Sequence, residues 1–107
     1  MKPEQHRVIA EAMGLKMLDL EDGYIRVLEK EHLSVFKIWN PETNAEQTLM
    51  VLEHFKINLK FFLDERGWNA TVWIPEIGFW FGTYDKDIQT AVCMAAYECA
   101  KTLNKPK

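Results

Sequence analysis

The sequence predicts an α+β protein, an α/β sandwich in which a mostly antiparallel sheet is packed by three helices, and three observations carry that prediction. First, Ile57–Tyr84 reads as three short runs, Ile57–Leu63, Trp68–Ile74 and Ile77–Thr83, separated only by Asp64-Glu65-Arg66-Gly67 and Pro75-Glu76. Aromatic and β-branched runs bounded by Gly, Pro and charged breakers are strands joined by tight turns. Second, those connections are too short for crossovers, which makes the pairing antiparallel. Third, three segments outside this stretch carry apolar residues at helical spacing.

Pro3 to Met13 is expected to be the first helix. Proline suits its first position, Val8, Ile9, Ala12 and Met13 form its apolar stripe, and Gly14 is placed to end it. Such a short helix is not stable alone, so the stripe must dock on the sheet. Residues Lys16–Leu20 and Tyr24–Leu28 read as a hairpin around Glu21-Asp22-Gly23, and after Glu29–His32 the run Leu33–Trp39 reads as a further strand. Thr43 with Glu46 fits a capping box opening a middle helix to about Phe55, with Ala45, Leu49, Leu52 and Phe55 facing inward.

Within Ile57–Leu63, Asn58, Lys60 and Phe62 share one face, and Ile57, Leu59, Phe61 and Leu63 share the other. In Trp68–Ile74, Ala70, Val72 and Ile74 oppose Asn69, Thr71 and Trp73. Phe79-Trp80-Phe81 must point to both faces, so either the strand Ile77–Thr83 is covered on both sides or one side exposes an apolar patch; coverage by helices is expected, with this strand the most buried. Trp80 is then a core residue whose loss costs roughly 3–5 kcal/mol. Asp85 or Asp87 begins the last helix, to about Leu103, with the stripe Ile88, Ala91, Val92, Ala95, Cys99 and Leu103. Its alanines are expected to let the axis approach bulky partners such as Trp73 and Trp80. The tail 104–107 is polar.

A length of 107 residues, nearly half of them apolar and about a quarter charged, implies one domain over 1–107 of a soluble, globular kind. No apolar run nears the roughly 20 residues of a membrane span, and the polar N-terminus does not read as a secretory signal; a cytoplasmic location in a bacterial host and no membrane partner are expected. The net charge of −3 argues against a nucleic-acid partner, whose phosphates favour a basic face.

The elements PEQHRVIAEAMG at 3–14, NAEQTLMVLEHF at 44–55, the strand pairs that follow, and AVCMAAYECAKTL at 91–103 resemble the phage ABA sandwich domain, a family of small phage and prophage proteins. Leu15 to Trp39 departs from the family's pattern. The resemblance implies helices packed against a sheet and implies no catalytic residues.

The search for chemistry in the residues themselves finds none. His6, His32 and His54 lie in three different segments, and no H-x-x-x-H, C-x-x-C or paired carboxylate at ligand spacing occurs, so no metal and no cofactor are expected. Ser34 is the single serine and lacks a nucleophile elbow. Cys93 and Cys99, about 240° apart on a helix, read as buried thiols rather than a disulfide or metal pair. Gly78 and Gly82, read inside the third run, form no phosphate loop. The expectation is therefore a protein that is not an enzyme: a phage or prophage accessory protein acting by contact with a host or phage protein, modulating or inhibiting a host system such as defence. A homodimer is expected too, because unpaired sheet edges and abundant aromatics are relieved by pairing. Two alternatives stand beside it. One is a single-stranded nucleic-acid module stacking bases on the sheet through Lys60, Phe62 and Trp73, with Asn58 and Thr71 nearby. The other is a small-molecule or nucleotide-binding protein. The plainer account of those aromatics, a core beneath a helix, is preferred on charge and on the supply of helices.

Overall fold

The computed structural model describes residues 2–19, 25–28 and 36–103. The chain runs α1 (Pro3–Ala12), β1 (Met17–Asp19), β2 (Ile25–Leu28), β3 (Phe36–Ile38), α2 (Ala45–Phe55), β4 (Asn58–Phe62), β5 (Gly67–Ile74), β6 (Phe79–Asp85) and α3 (Ile88–Leu103). Every strand pairing is antiparallel, and the expected α+β sandwich is what forms. The strands fall into two three-stranded sheets, β1-β2-β3 and β4-β5-β6, rather than one. The hairpin turn expected at residues 21–23, the charged segment 29–32 with His32, the start of the expected strand at 33–35 with Ser34, and the tail 104–107 lie outside the described residues.

Helix α3 is the centre of the packing: it lies on β5 and β6 and touches both α1 and α2. Its sequence allows this because Ala91, Ala95, Ala96 and Ala100 are fully buried beside Val92, Cys93 and Cys99. Small side chains bring the helix axis close, and close packing is where dispersion accumulates. Asp87 caps the helix, its Oδ2 accepting from the Thr90 backbone N–H at 2.9 Å. On the sheet, α3 meets Ala70, Val72 and Ile74, each no more than 2% exposed, and Thr83, whose hydroxyl donates to the Ala91 carbonyl at 2.9 Å.

Helix α1 ends as its sequence dictates, with Gly14 at φ +75°, a conformation glycine enters without a Cβ penalty. Ile9 and Ala10 are its fully buried residues. Helix α2 differs from expectation. Asn44, not Thr43, is the cap, its Oδ1 accepting from the Gln47 N–H. The inner face is Gln47, Thr48, Val51 and Phe55, while Leu49 is 57% exposed and Ala45 is also exposed. The turn of chain before the helix explains the rotation. Gln47 accepts from the Asn40 N–H and donates to the Ile38 carbonyl, both at 2.7 Å, and Thr48 donates to the Pro41 carbonyl. Buried backbone groups must be paired, and these two polar side chains pair them.

The largest correction concerns β6. The strand is Phe79–Asp85, two residues later than expected, because Gly78 sits at φ +71° in the turn and not inside the strand. Far from being the most buried strand, it leaves Phe79 53%, Trp80 54% and Tyr84 48% exposed. Register gives the reason. Ala70 pairs with Thr83 and Val72 with Phe81 beneath α3, so Trp73 and its partner Trp80 are forced onto the opposite face. No helix covers that face among the described residues, and α3 does not pack on either tryptophan.

Candidate binding face on the second sheet

Alternation places nine residues on the outer face of β4–β6: Asn58, Lys60 and Phe62 from β4, Asn69, Thr71 and Trp73 from β5, Trp80, Gly82 and Tyr84 from β6. All three residues singled out from the sequence, Lys60, Phe62 and Trp73, lie on it, with Asn58 and Thr71 directly paired between them.

Cross-strand register sorts the face into rows. Trp73 faces Trp80 at one end, their ring centroids 5.6 Å apart in an edge-on arrangement. The next row is Asn58, Thr71 and Gly82; the one after is Lys60, Asn69 and Tyr84. At the far end Phe62 lies 5.9 Å from Tyr84 between ring centroids. Arg66, from the β4–β5 turn, lays its guanidinium 4.2 Å from the Phe62 centroid and 5.9 Å from that of Tyr84, while Lys60 Nζ stands 5.2 Å from Phe62. Such cation–ring contacts hold the rings in fixed orientations. Asp64 pairs with Arg66 at 2.7 Å, and hydrogen bonds from the Arg66 side chain and backbone hold its carboxyl below the usual pKa.

Two aromatic pairs therefore flank the Asn58–Thr71–Gly82 row, roughly 13 Å apart along the strand by the rise of four residues. The Thr71 and Asn69 side chains lean against Gly82, where a Cβ would meet Thr71 Cγ2 at 3.3 Å and Asn69 Nδ2 at 3.4 Å. The Asn69 amide donates to the Thr83 carbonyl at 3.1 Å, which fixes its place on the face.

The described histidines and the cysteines sit elsewhere. His6 is buried with Nε2 2.6 Å from Glu42 Oε1, and Thr90 Oγ1 stands 3.3 Å from Glu42 Oε2. Burial would raise the pKa of Glu42, but hydrogen bonds and positive charge around it, His6 among them, hold it lower than usual. The Trp39 indole donates to the His6 carbonyl at 2.8 Å. This cluster ties α1 to the β3–α2 connection and to α3, a structural task that an isolated histidine in the sequence gave little sign of. His54 is exposed, its ring edge-on to Phe55. Cys93 and Cys99 are free and buried; burial first, then the Glu42 carboxylate, pushes the Cys93 thiol up to about 12. No group of three or more His, Cys, Asp or Glu that could hold a metal occurs among the described residues. An open groove of about 360 Å³ between α2 and α3 is lined mainly by aliphatic side chains, Leu49, Leu52, Leu59, Ile88 and Val92, with Thr48 and Gln89 bonded to each other at its edge. Among the described residues no helix is long and apolar enough to cross a membrane.

The molecule thus defines a class by its fold: an α+β sandwich in which one face of the β4–β6 sheet is buried under helices and the other is covered by no helix among the described residues. The fold is similar to that of a phage protein from Bacillus cereus ATCC 14579, known from a 2.0 Å crystal structure, with a TM-score of 0.67 at 17% identity over 94% of this chain and 89% of that one. No protein-family model and no curated protein sequence matches the chain.

Proposed function

We propose that this is a non-enzymatic accessory protein of phage or prophage origin, of the phage ABA sandwich kind, acting by protein–protein contact through the outer face of β4–β6. The observation that carries the reading is the exposure of Trp73, Trp80 and Tyr84, at 44%, 54% and 48%, on one sheet face that no helix covers among the described residues. Exposed aromatics on one face with an arginine beside them have the composition of contact hot spots, and a soluble domain rarely leaves them open without use. The phage assignment is supported by the fold it shares with the Bacillus cereus phage protein. A host protein, including a component of host defence, is the kind of target such an accessory protein would modulate.

The test is affinity capture from host lysate with the wild-type protein and the Trp73→Ala/Trp80→Ala double variant as baits. A specific protein held by the first and released by the second is the expected result. A second reading has its own observation, the placing of Lys60 and Arg66 beside Phe62 and Tyr84, which also suits stacked bases and phosphates of a single strand. Gel shifts of single-stranded RNA or DNA at low salt, abolished by Trp73→Ala and accompanied by no captured protein, would replace the first reading with the second.

A further inference from the structure

We propose that the partner protein adds an extended segment of its own chain to the free edge of β6, as a further strand of the β4-β5-β6 sheet. This rests on the reading of the outer face as a protein contact surface, and fixes the chemistry of the partner there: an extended peptide with apolar side chains at alternate positions. Three features of the strand carry it.

The first is its place. β6 ends the order β4-β5-β6, so among the described residues one side of it meets no further strand. Every second residue of an edge strand turns its N–H and C=O to the open side, and another extended backbone matches their spacing. The edge is also regular: all seven residues from Phe79 to Asp85 pair with β5 in one unbroken register.

The second is the contrast with the sheet's other edge. Proteins blunt an edge strand with charge, proline or a bulge. β4 carries Lys60 at its middle. β6 has no charged residue and no proline from Phe79 to Tyr84, and Phe79, Trp80, Gly82 and Tyr84 are exposed. An edge left long, uncharged and in register is a template for another strand.

The third is what flanks the edge. A strand added to β6 sends its side chains alternately to the two faces of the sheet. On the outer face they lie beside Trp80 and Tyr84, continuing the aromatic contact surface. On the inner face they meet an open pocket of about 290 Å³ between α1, α3 and β6, whose walls include Gln5, Phe81, Thr83, Met94, Tyr97 and Glu98. In strand addition the main-chain hydrogen bonds give affinity and pockets for alternate side chains give specificity.

The test pans a library of linear peptides of about ten residues, long enough to span the edge, against the full chain. The expected peptides carry large apolar residues at every second position. Backbone N-methylation of the enriched peptide then reads the pairing directly, because only one alternate set of its N–H groups faces β6. Methylation within that set should weaken binding about tenfold or more, and methylation between its members should not. Hydrogen exchange should slow along Phe79–Asp85 and not along β4. Equal sensitivity at both sets of positions, or exchange slowed only outside β6, overturns strand addition. A library that enriches nothing overturns it too; if the Trp73→Ala/Trp80→Ala variant still releases a captured protein, the contact face stands without it. Alternating sensitivity in the peptide, beside a captured protein that the double variant holds as well as wild type, upholds strand addition and overturns the outer-face reading. Light scattering at twice the sequence mass of 12.6 kDa, with β6 protected before any peptide is added, overturns the partner's segment in favour of a second copy of β6.

Discussion

Along β5 the side chains facing α3 are Ala70, Val72 and Ile74, none more than 2% exposed, while Asn69, Thr71 and Trp73 on the same strand face away and Trp73 is 44% exposed. β6 repeats the contrast with Phe81 and Thr83 on one side and Trp80, Gly82 and Tyr84 on the other. Ala70, Val72, Ile74 and Thr83 are buried on the inner face, with Trp68 and Phe81 half-buried against the same core, while the indoles of Trp73 and Trp80 lie outside, the reverse of what ring size alone suggests. A helix that lies this close is met mainly by alanine, valine, isoleucine and threonine. Large aromatic area marks the core only where something is there to cover it.

The comparison is tested most severely on the inner face. Ile74→Ala is expected to cost about 2–5 kcal/mol, through lost transfer energy and the cavity left under α3. Thermal unfolding measures it, and a loss below 1 kcal/mol would mean that the inner face is not the tight one.

Alkaline pH probes the helix covering that face. The Cys93 thiol is pushed from 9.0 to about 12 by burial, so the unfolded chain releases its proton first. Stability from this group is complete below about pH 9 and falls as pH rises toward 12, by about 1.4 kcal/mol for each pH unit in that window. Denaturant midpoints of wild type and Cys93→Ala, compared from pH 8 to 11, should converge as pH rises; parallel curves would contradict the buried thiol.

Trp80→Ala, half exposed, should cost only about 1–2 kcal/mol at low protein concentration, from half a side chain's burial and its edge-on contact with Trp73. A cost as large as that of Ile74→Ala in dilute protein would erase the contrast between the faces.

The finest distinction is between two threonines on neighbouring strands. Thr83→Val removes the buried hydroxyl bonded to the Ala91 carbonyl and should cost about 1 kcal/mol. Thr71→Val, on the open face, should change stability by no more than about 0.5 kcal/mol. Equal effects in chemical denaturation would show that the two hydroxyls have the same surroundings.

Much of the fold was legible in local pattern. Pro3 and Gly14 bracket α1, the breakers at 64–67 and 75–76 separate the three strands, and the alanine-rich stripe of 88–103 reads as a helix packed at close range, because each signal is a property of neighbouring residues. The α2 interior was not legible, since Gln47 and Thr48 are drawn inward by carbonyls of Ile38 and Pro41 that no helical periodicity reports. Of the candidate face, alternation alone put Lys60 with Phe62 and Trp73 opposite Val72, but Trp80 and Tyr84 joined them only through the β5–β6 register, and Arg66 through a turn that carries it back over Phe62. Period-two alternation states which side chains share a face and is silent on which face is covered. That was decided by where α3 docks, and a helix following the sheet in sequence settles on the side where small residues let it come close.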